Sequence, residues 1–105
     1  MAEVLTIEEL RTRIDVIDDQ LVRLLNVRVA CAVEVGRLKH EAGLPIYQPE
    51  REAQVLSSVR KSATELSGPL TAEAVVRIFE RVIDEARRAE RAASDRRNGP
   101  TDTSL

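Results

Sequence analysis

Arg28, Glu52 and Glu90 stand where helical spacing calls for apolar side chains. From Leu10 onward the residues Leu10, Ile14, Ile17, Leu21, Leu24, Arg28, Cys31, Val35 and Leu38 recur at alternating steps of four and three, a helical seam that Arg28 alone interrupts. An arginine on such a seam needs a carboxylate partner or an anionic ligand, because burying an unpaired guanidinium is unfavourable. A single polar seam residue can also serve to fix helix register, and that alternative stays open. Lys39 follows eleven residues later. At ~100° per residue the two directions differ by only about 20°, so both long side chains lean over one helix face. Glu52 shares a stripe with Gln48, Val55 and Val59, with Arg51 beside it, and Glu90 shares one with Phe79, Ile83 and Ala86. Each has an ordinary alternative: a solvated terminal lysine, an exposed ion pair, a frayed helix end.

Arg11 lies seventeen residues before Arg28. That spacing turns it roughly 100° around the helix and carries it about 25 Å along the axis, so it cannot serve the same site from the same chain. It can do so from a second chain running antiparallel; otherwise it is a surface arginine. Together these positions describe a pocket with several cations, one or two carboxyl groups and aliphatic walls. They contain no nucleophile with an adjacent base, no Gly-rich phosphate loop and no basic stripe with aromatics. A small dianion suits such a pocket better than a nucleotide.

The composition narrows the field further. The net charge of −2 offers no overall basic field for nucleic acid or an anionic membrane. Aromatics make up 2% of the chain, Tyr47 and Phe79, against 43% hydrophobic residues in all, so the core must be Leu, Ile, Val and Ala and the composition favours helices. The single cysteine, Cys31, excludes an internal disulfide, and with His40 as the only histidine there is no Cys/His metal set. With no signal peptide or membrane span legible, the expected location is the cytoplasm, and no metal or cofactor is called for.

The elements that must position these residues follow from punctuation. Thr6 and Glu9 form a capping-box pattern that opens a first helix running to about Glu41, where Gly43 and Pro45 stop it. Such a helix is about 50 Å long, whereas a compact domain of this size is only about 35 Å across. One short chain cannot cover it. Pro49 starts a second helix expected to reach about Thr64, and Thr71 caps a third that should fade near Ala93. Residues 1–93 form one domain on this reading, and the polar segment 94–105 a disordered tail. The fold class is all-α: three helices, the first very long, in an intertwined homodimer.

RIDVIDDQLVRLL, the R-x10-K spacing within RVACAVEVGRLK, and QPERE after a Gly/Pro turn together resemble the all-helical chorismate mutases. The resemblance covers about Leu5 to Glu90. It implies an intertwined dimer of three-helix subunits whose two sites are shared between chains. It also implies that Arg28 and the other subunit's Arg11 hold the substrate carboxylates with support from Arg51. Lys39 would donate to the ether oxygen, Glu52 would accept from the ring hydroxyl, and Ala32, Val35 and Ile83 would line the walls. The reaction, chorismate to prephenate in phenylalanine and tyrosine biosynthesis, is a one-step pericyclic rearrangement that needs no cofactor. An upstream shikimate-pathway enzyme is the one protein partner, besides the twin subunit, that the resemblance suggests.

Four positions depart from the family pattern or qualify it. Gln48 replaces a frequent Asp, Ala86 replaces a hydroxyl residue that can help bind a carboxylate, and Arg87 replaces a small apolar wall residue with no direction legible from sequence. Glu90 stands at the second ether-oxygen donor, held by Gln or Glu in the family, where only a protonated carboxyl can donate. Burial is expected to raise its pKa while Lys39 and the arginines oppose the rise. Competing readings are a lyase acting on isochorismate, a mutase acting on an amino analogue of chorismate, and a non-catalytic helical dimer module.

Overall fold

A computed structural model describes residues 4–99. Three helices follow in order, α1 (Ile7–Ala42), α2 (Pro49–Leu66) and α3 (Ala72–Asn98), with no strand among the described residues. The capping box forms as its spacing predicts. The Thr6 N–H donates to Glu9 Oε2 at 2.8 Å and the Glu9 N–H to Thr6 Oγ1 at 3.1 Å, so two otherwise orphaned donors satisfy each other's side chains. Pro49 occupies the first turn of α2, where its missing N–H is no loss, and Thr71 Oγ1 caps α3 by accepting from the Ala74 N–H at 3.0 Å.

Gly43 ends α1 in the left-handed region at φ 68°. Its N–H donates to the His40 carbonyl at 3.2 Å, and the next N–H, of Leu44, to the Lys39 carbonyl at 2.9 Å. These two bonds make a Schellman motif, which closes the last turn of α1 around the backbone of Lys39. The chain therefore reverses at a defined angle immediately beyond its candidate catalytic lysine.

α3 packs against both α1 and α2, whereas α1 and α2 have no packing interface with each other among the described residues. Among the described residues the buried apolar side chains are Ala86 and Ala93, both on α3. Along α1 the seam is open: Leu10, Ile14, Ile17, Leu21, Leu24, Val35 and Leu38 are each 45 to 66% exposed. Cys31, expected to be a small core residue, is exposed with them. The molecule measures 72 × 33 × 17 Å with a radius of gyration of 18.9 Å, against ~13 Å for a compact domain of this length.

α3 runs to Asn98, past the expected fade near Ala93, and takes in part of the segment expected to be disordered. The helix continues because Ala92 and Ala93 propagate it, Ala93 is buried, and Arg96 and Arg97 meet the negative end of the helix dipole before Gly99 stops it. The rest of the expected tail, from Pro100, lies outside the described residues. α2 likewise extends slightly beyond Thr64, to Leu66, and ends at Ser67 in a left-handed conformation.

Gly43→Ala keeps the sequence nearly intact but forces a Cβ into the left-handed region. The expected result is a loss of about 1–2 kcal/mol in stability, read as a lower midpoint in chemical denaturation. Gly68→Ala, at a glycine without positive φ, serves as the control.

Candidate active site

Lys39 on α1, Glu52 on α2, and Arg87 and Glu90 on α3 converge where the second half of α1 runs beside α3. The Glu90 carboxyl lies against Gly36 of α1. A Cβ added at Gly36 would stand 3.5 Å from Glu90 Oε2 and 3.6 Å from its Cγ, so the carboxyl lies directly over the α1 backbone. Burial there pushes the Glu90 carboxyl above its usual range. The Lys39 and Arg87 charges pull it back down and the Glu52 carboxylate adds to the rise. The opposition of burial and cations expected from sequence is thus present, and burial prevails.

Lys39 is half-buried, and its Nζ lies 3.5 Å from the Ile46 carbonyl of the α1–α2 turn, a long contact that leaves donors free for a ligand. Arg28, eleven residues earlier, is half-buried on the same side. Its Cζ lies 5.9 Å from the centre of the Phe79 ring of α3, within cation–π range. Among the described residues no carboxylate forms an ion pair with Arg28. Its charge therefore rests on an aromatic face, which satisfies the seam requirement without consuming its hydrogen-bond donors.

Arg87 turns inward. Its Nε donates to Glu52 Oε2 at 2.9 Å and its Nη2 to Glu52 Oε1, while Nη1 donates to Asp84 Oδ1 at 2.8 Å. Sequence reasoning left its direction open, and this ion pair is the contact it missed. The available signal was register: Ile83, Ala86, Arg87 and Glu90 follow the i, i+3, i+4, i+7 pattern of one helix face.

Other expected residues stand apart. Arg51, exposed, donates from Nη1 to Gln54 Oε1 at 2.6 Å, and with Gln48, Glu50 and Gln54 it borders a shallow depression on α2. The Gln48 side chain caps nothing; its carbonyl accepts from the Arg51 N–H at 3.1 Å. Glu52 enters the cluster through its contact with Arg87 of α3, since α2 does not pack on α1. Arg11 pairs with Glu8 at 3.2 Å on the exposed surface, far along α1 from the cluster. Ala32 and Ile83 are half-buried, Val35 is largely exposed and Ala86 is buried.

Three helices that set Lys39 of α1 beside a Glu90 carboxyl of raised pKa on α3 define an all-helical class of protein. Comparison with known proteins names it: residues 10–91 match the family described as chorismate mutase type II, and the chain belongs to that family. It is 38% identical over 78 residues to a bifunctional chorismate mutase/prephenate dehydratase of Aquifex aeolicus, covering 73% of this chain and 22% of that protein. A chorismate mutase of Methanocaldococcus jannaschii is 37% identical over 57 residues, which cover 54% of this chain and 58% of the relative. The chain thus spans only part of the curated relatives it matches. A solved chorismate mutase structure from Thermus thermophilus superposes with a TM-score of 0.74 at 32% identity, covering 81% of this chain and 93% of that one.

The Glu90 environment gives a signed prediction for stability. Because its folded pKa is raised, the protonated form is the one folding favours. That contribution is complete below the unfolded value and is lost as pH rises through the folded value. Glu90→Gln, similar in shape but unable to ionise, should therefore melt at a higher temperature than the parent near neutral pH. The gap should vanish below about pH 4, where Glu is protonated folded or unfolded. Thermal melts across pH check both halves.

Proposed function

We propose that this chain is a chorismate mutase, converting chorismate to prephenate in aromatic amino acid biosynthesis. The observation that carries the reading is the pairing of Lys39 with a carboxyl of raised pKa, Glu90, across the α1–α3 contact at Gly36. A rearrangement in which a C–O bond breaks as a C–C bond forms asks for donors at the ether oxygen and for no covalent intermediate. Lys39 supplies one donor and protonated Glu90 the second. A preorganised donor of this kind is worth roughly 3–4 kcal/mol in the transition state. Activity then falls as pH climbs through the Glu90 value, because the carboxylate repels the developing charge.

The rest of the site restricts conformation. Arg28 and Arg11 of the partner subunit grip the two carboxylates, Arg51 supports them, and Glu52 accepts from the ring hydroxyl while Gln48 borders that end. Ala32, Val35, Ile83 and Ala86 form the walls. Holding the enolpyruvyl group over the ring removes conformational freedom that free chorismate must lose in reaching the transition state. The homodimer belongs to the same proposal. The open α1 seam and the distance of Arg11 from the cluster both call for a second copy whose α1 lies along the first. No helix among the described residues is long and apolar enough to cross a membrane, and the net charge of −2 gives nucleic acid no overall attraction.

Chorismate added to the purified protein should lose its absorbance, with prephenate identified by NMR. Arg28→Ala should lower kcat/KM by roughly 2–5 kcal/mol. Absence of turnover with both chorismate and isochorismate would overturn the enzymatic reading.

Arg11→Ala and Arg28→Ala should each be nearly inactive as homodimers. Mixed after unfolding, they should recover about a quarter of parental activity, since half the dimers are mixed and each of these holds one intact site. No recovery in verified heterodimers would show that Arg11 does not act between subunits.

A further inference from the structure

Glu52 and Arg87 lie 35 residues apart, and their ion pair joins α2 to α3 inside the candidate site. Two nitrogens of Arg87 meet the two oxygens of one carboxylate, and the third is held by Asp84. The guanidinium is thereby fixed in its own plane from two sides. A forked contact of this type takes one acceptor position on each carboxylate oxygen, and an ionised carboxylate has about four. Two positions on Glu52 remain for a ligand.

A second ion pair shows what a purely structural link between the same helices looks like. Arg60 Nη1 and Glu73 Oε1 are 2.7 Å apart, between α2 and the first turn of α3, and both side chains are more than half exposed. That pair has one prong and faces solvent. The Arg87–Glu52 pair has two, and the Glu52 side chain is 26% exposed. Helix α2 is therefore tied to α3 elsewhere, and the fork at Arg87 is in excess of what that tie requires.

We propose that Arg87 is a positioning residue for the ligand's ring hydroxyl: it holds the Glu52 carboxylate in one rotamer with its free acceptor positions available to that hydroxyl. The inference rests on the mutase reading given above. It distinguishes geometry from charge. Arg87→Lys keeps a cation but loses the fork, whereas Arg87→Met loses both and also removes a charge that lowers the Glu90 pKa. The groups facing Glu90 are Lys39 from α1, Glu52 from α2 and Arg87 on α3 itself, with Tyr47 close enough to act on Arg87.

The test compares the parent, Arg87→Lys, Arg87→Met and the control Arg60→Met on chorismate and on its analogue lacking the ring hydroxyl. Both Arg87 variants should raise KM for chorismate, Arg87→Met by about tenfold, the scale of one charge-assisted hydrogen bond, with little change for the analogue. Arg87→Met, but not Arg87→Lys, should also move the alkaline limb of the pH profile upward. Arg60→Met should change neither ratio nor limb. Side-chain NMR couplings of Glu52, measured without ligand, should report one rotamer in the parent and averaging in Arg87→Met. Equal KM effects on both ligands, or an unchanged Glu52 rotamer, would overturn the proposal. A parent protein without turnover would overturn the mutase reading and the hydroxyl role with it, and the couplings would still decide whether Arg87 fixes Glu52.

Discussion

The length of α1 governs everything else in this chain. Thirty-six residues of unbroken helix carry an apolar seam that Arg28 alone interrupts, and of the two shorter helices only α3 packs on it. The single chain buries little by itself: among the described residues Ala86 and Ala93 alone are buried apolar side chains. Apolar area left in water at this scale is strongly unfavourable. The proposed second copy resolves it by laying one seam on another, and the same act brings Arg11 within reach of a site it otherwise cannot approach. Folding, assembly and ligand recognition then draw on one surface.

Within that frame the site works by alternation of charge. Lys39 and Arg87 stand among Glu52 and Glu90, and no member of the set acts on its own. Glu90 lies half-buried against the α1 backbone at Gly36, where burial raises its pKa and the nearby cations oppose the rise. Arg28 is treated differently: Phe79 supports its charge through a ring face and leaves its N–H groups available. The chain thus stabilises one cation by a carboxylate and the other by an aromatic face, and the second arrangement leaves that cation's donors to the dianion proposed as ligand.

Most of the architecture was legible because its signals are local. The Thr6–Glu9 capping box, Gly43, Pro49 and Thr71 act through backbone groups only a few positions away, and each marks the element end expected of it. The α3 terminus was placed too early because Ser94 and Asp95 look like loop residues, while the burial that extends the helix depends on α3 packing beyond local sequence. Arg28, Glu52 and Glu90 were visible as polar breaks in apolar stripes, and Lys39 through its eleven-residue spacing from Arg28. The partner of Glu52 was not, since the register of Arg87 says which face it occupies and not which of three neighbouring carboxylates it will choose. The closeness of Glu90 to Gly36 was not legible either, since it depends on α3 crossing α1 at that level.

The continuation of α3 from Ser94 to Asn98 also bears on motion. Terminal turns of helices open and close with free energies near zero, on timescales far shorter than a catalytic cycle. A hydrogen-bond donor in such a turn, the role proposed for Glu90, would spend part of its time out of place. With eight further helical residues after it, Glu90 lies about two turns inside the helix. Fraying exhausts itself in Arg96, Arg97 and Asn98, and the carboxyl stays as still as the interior it faces.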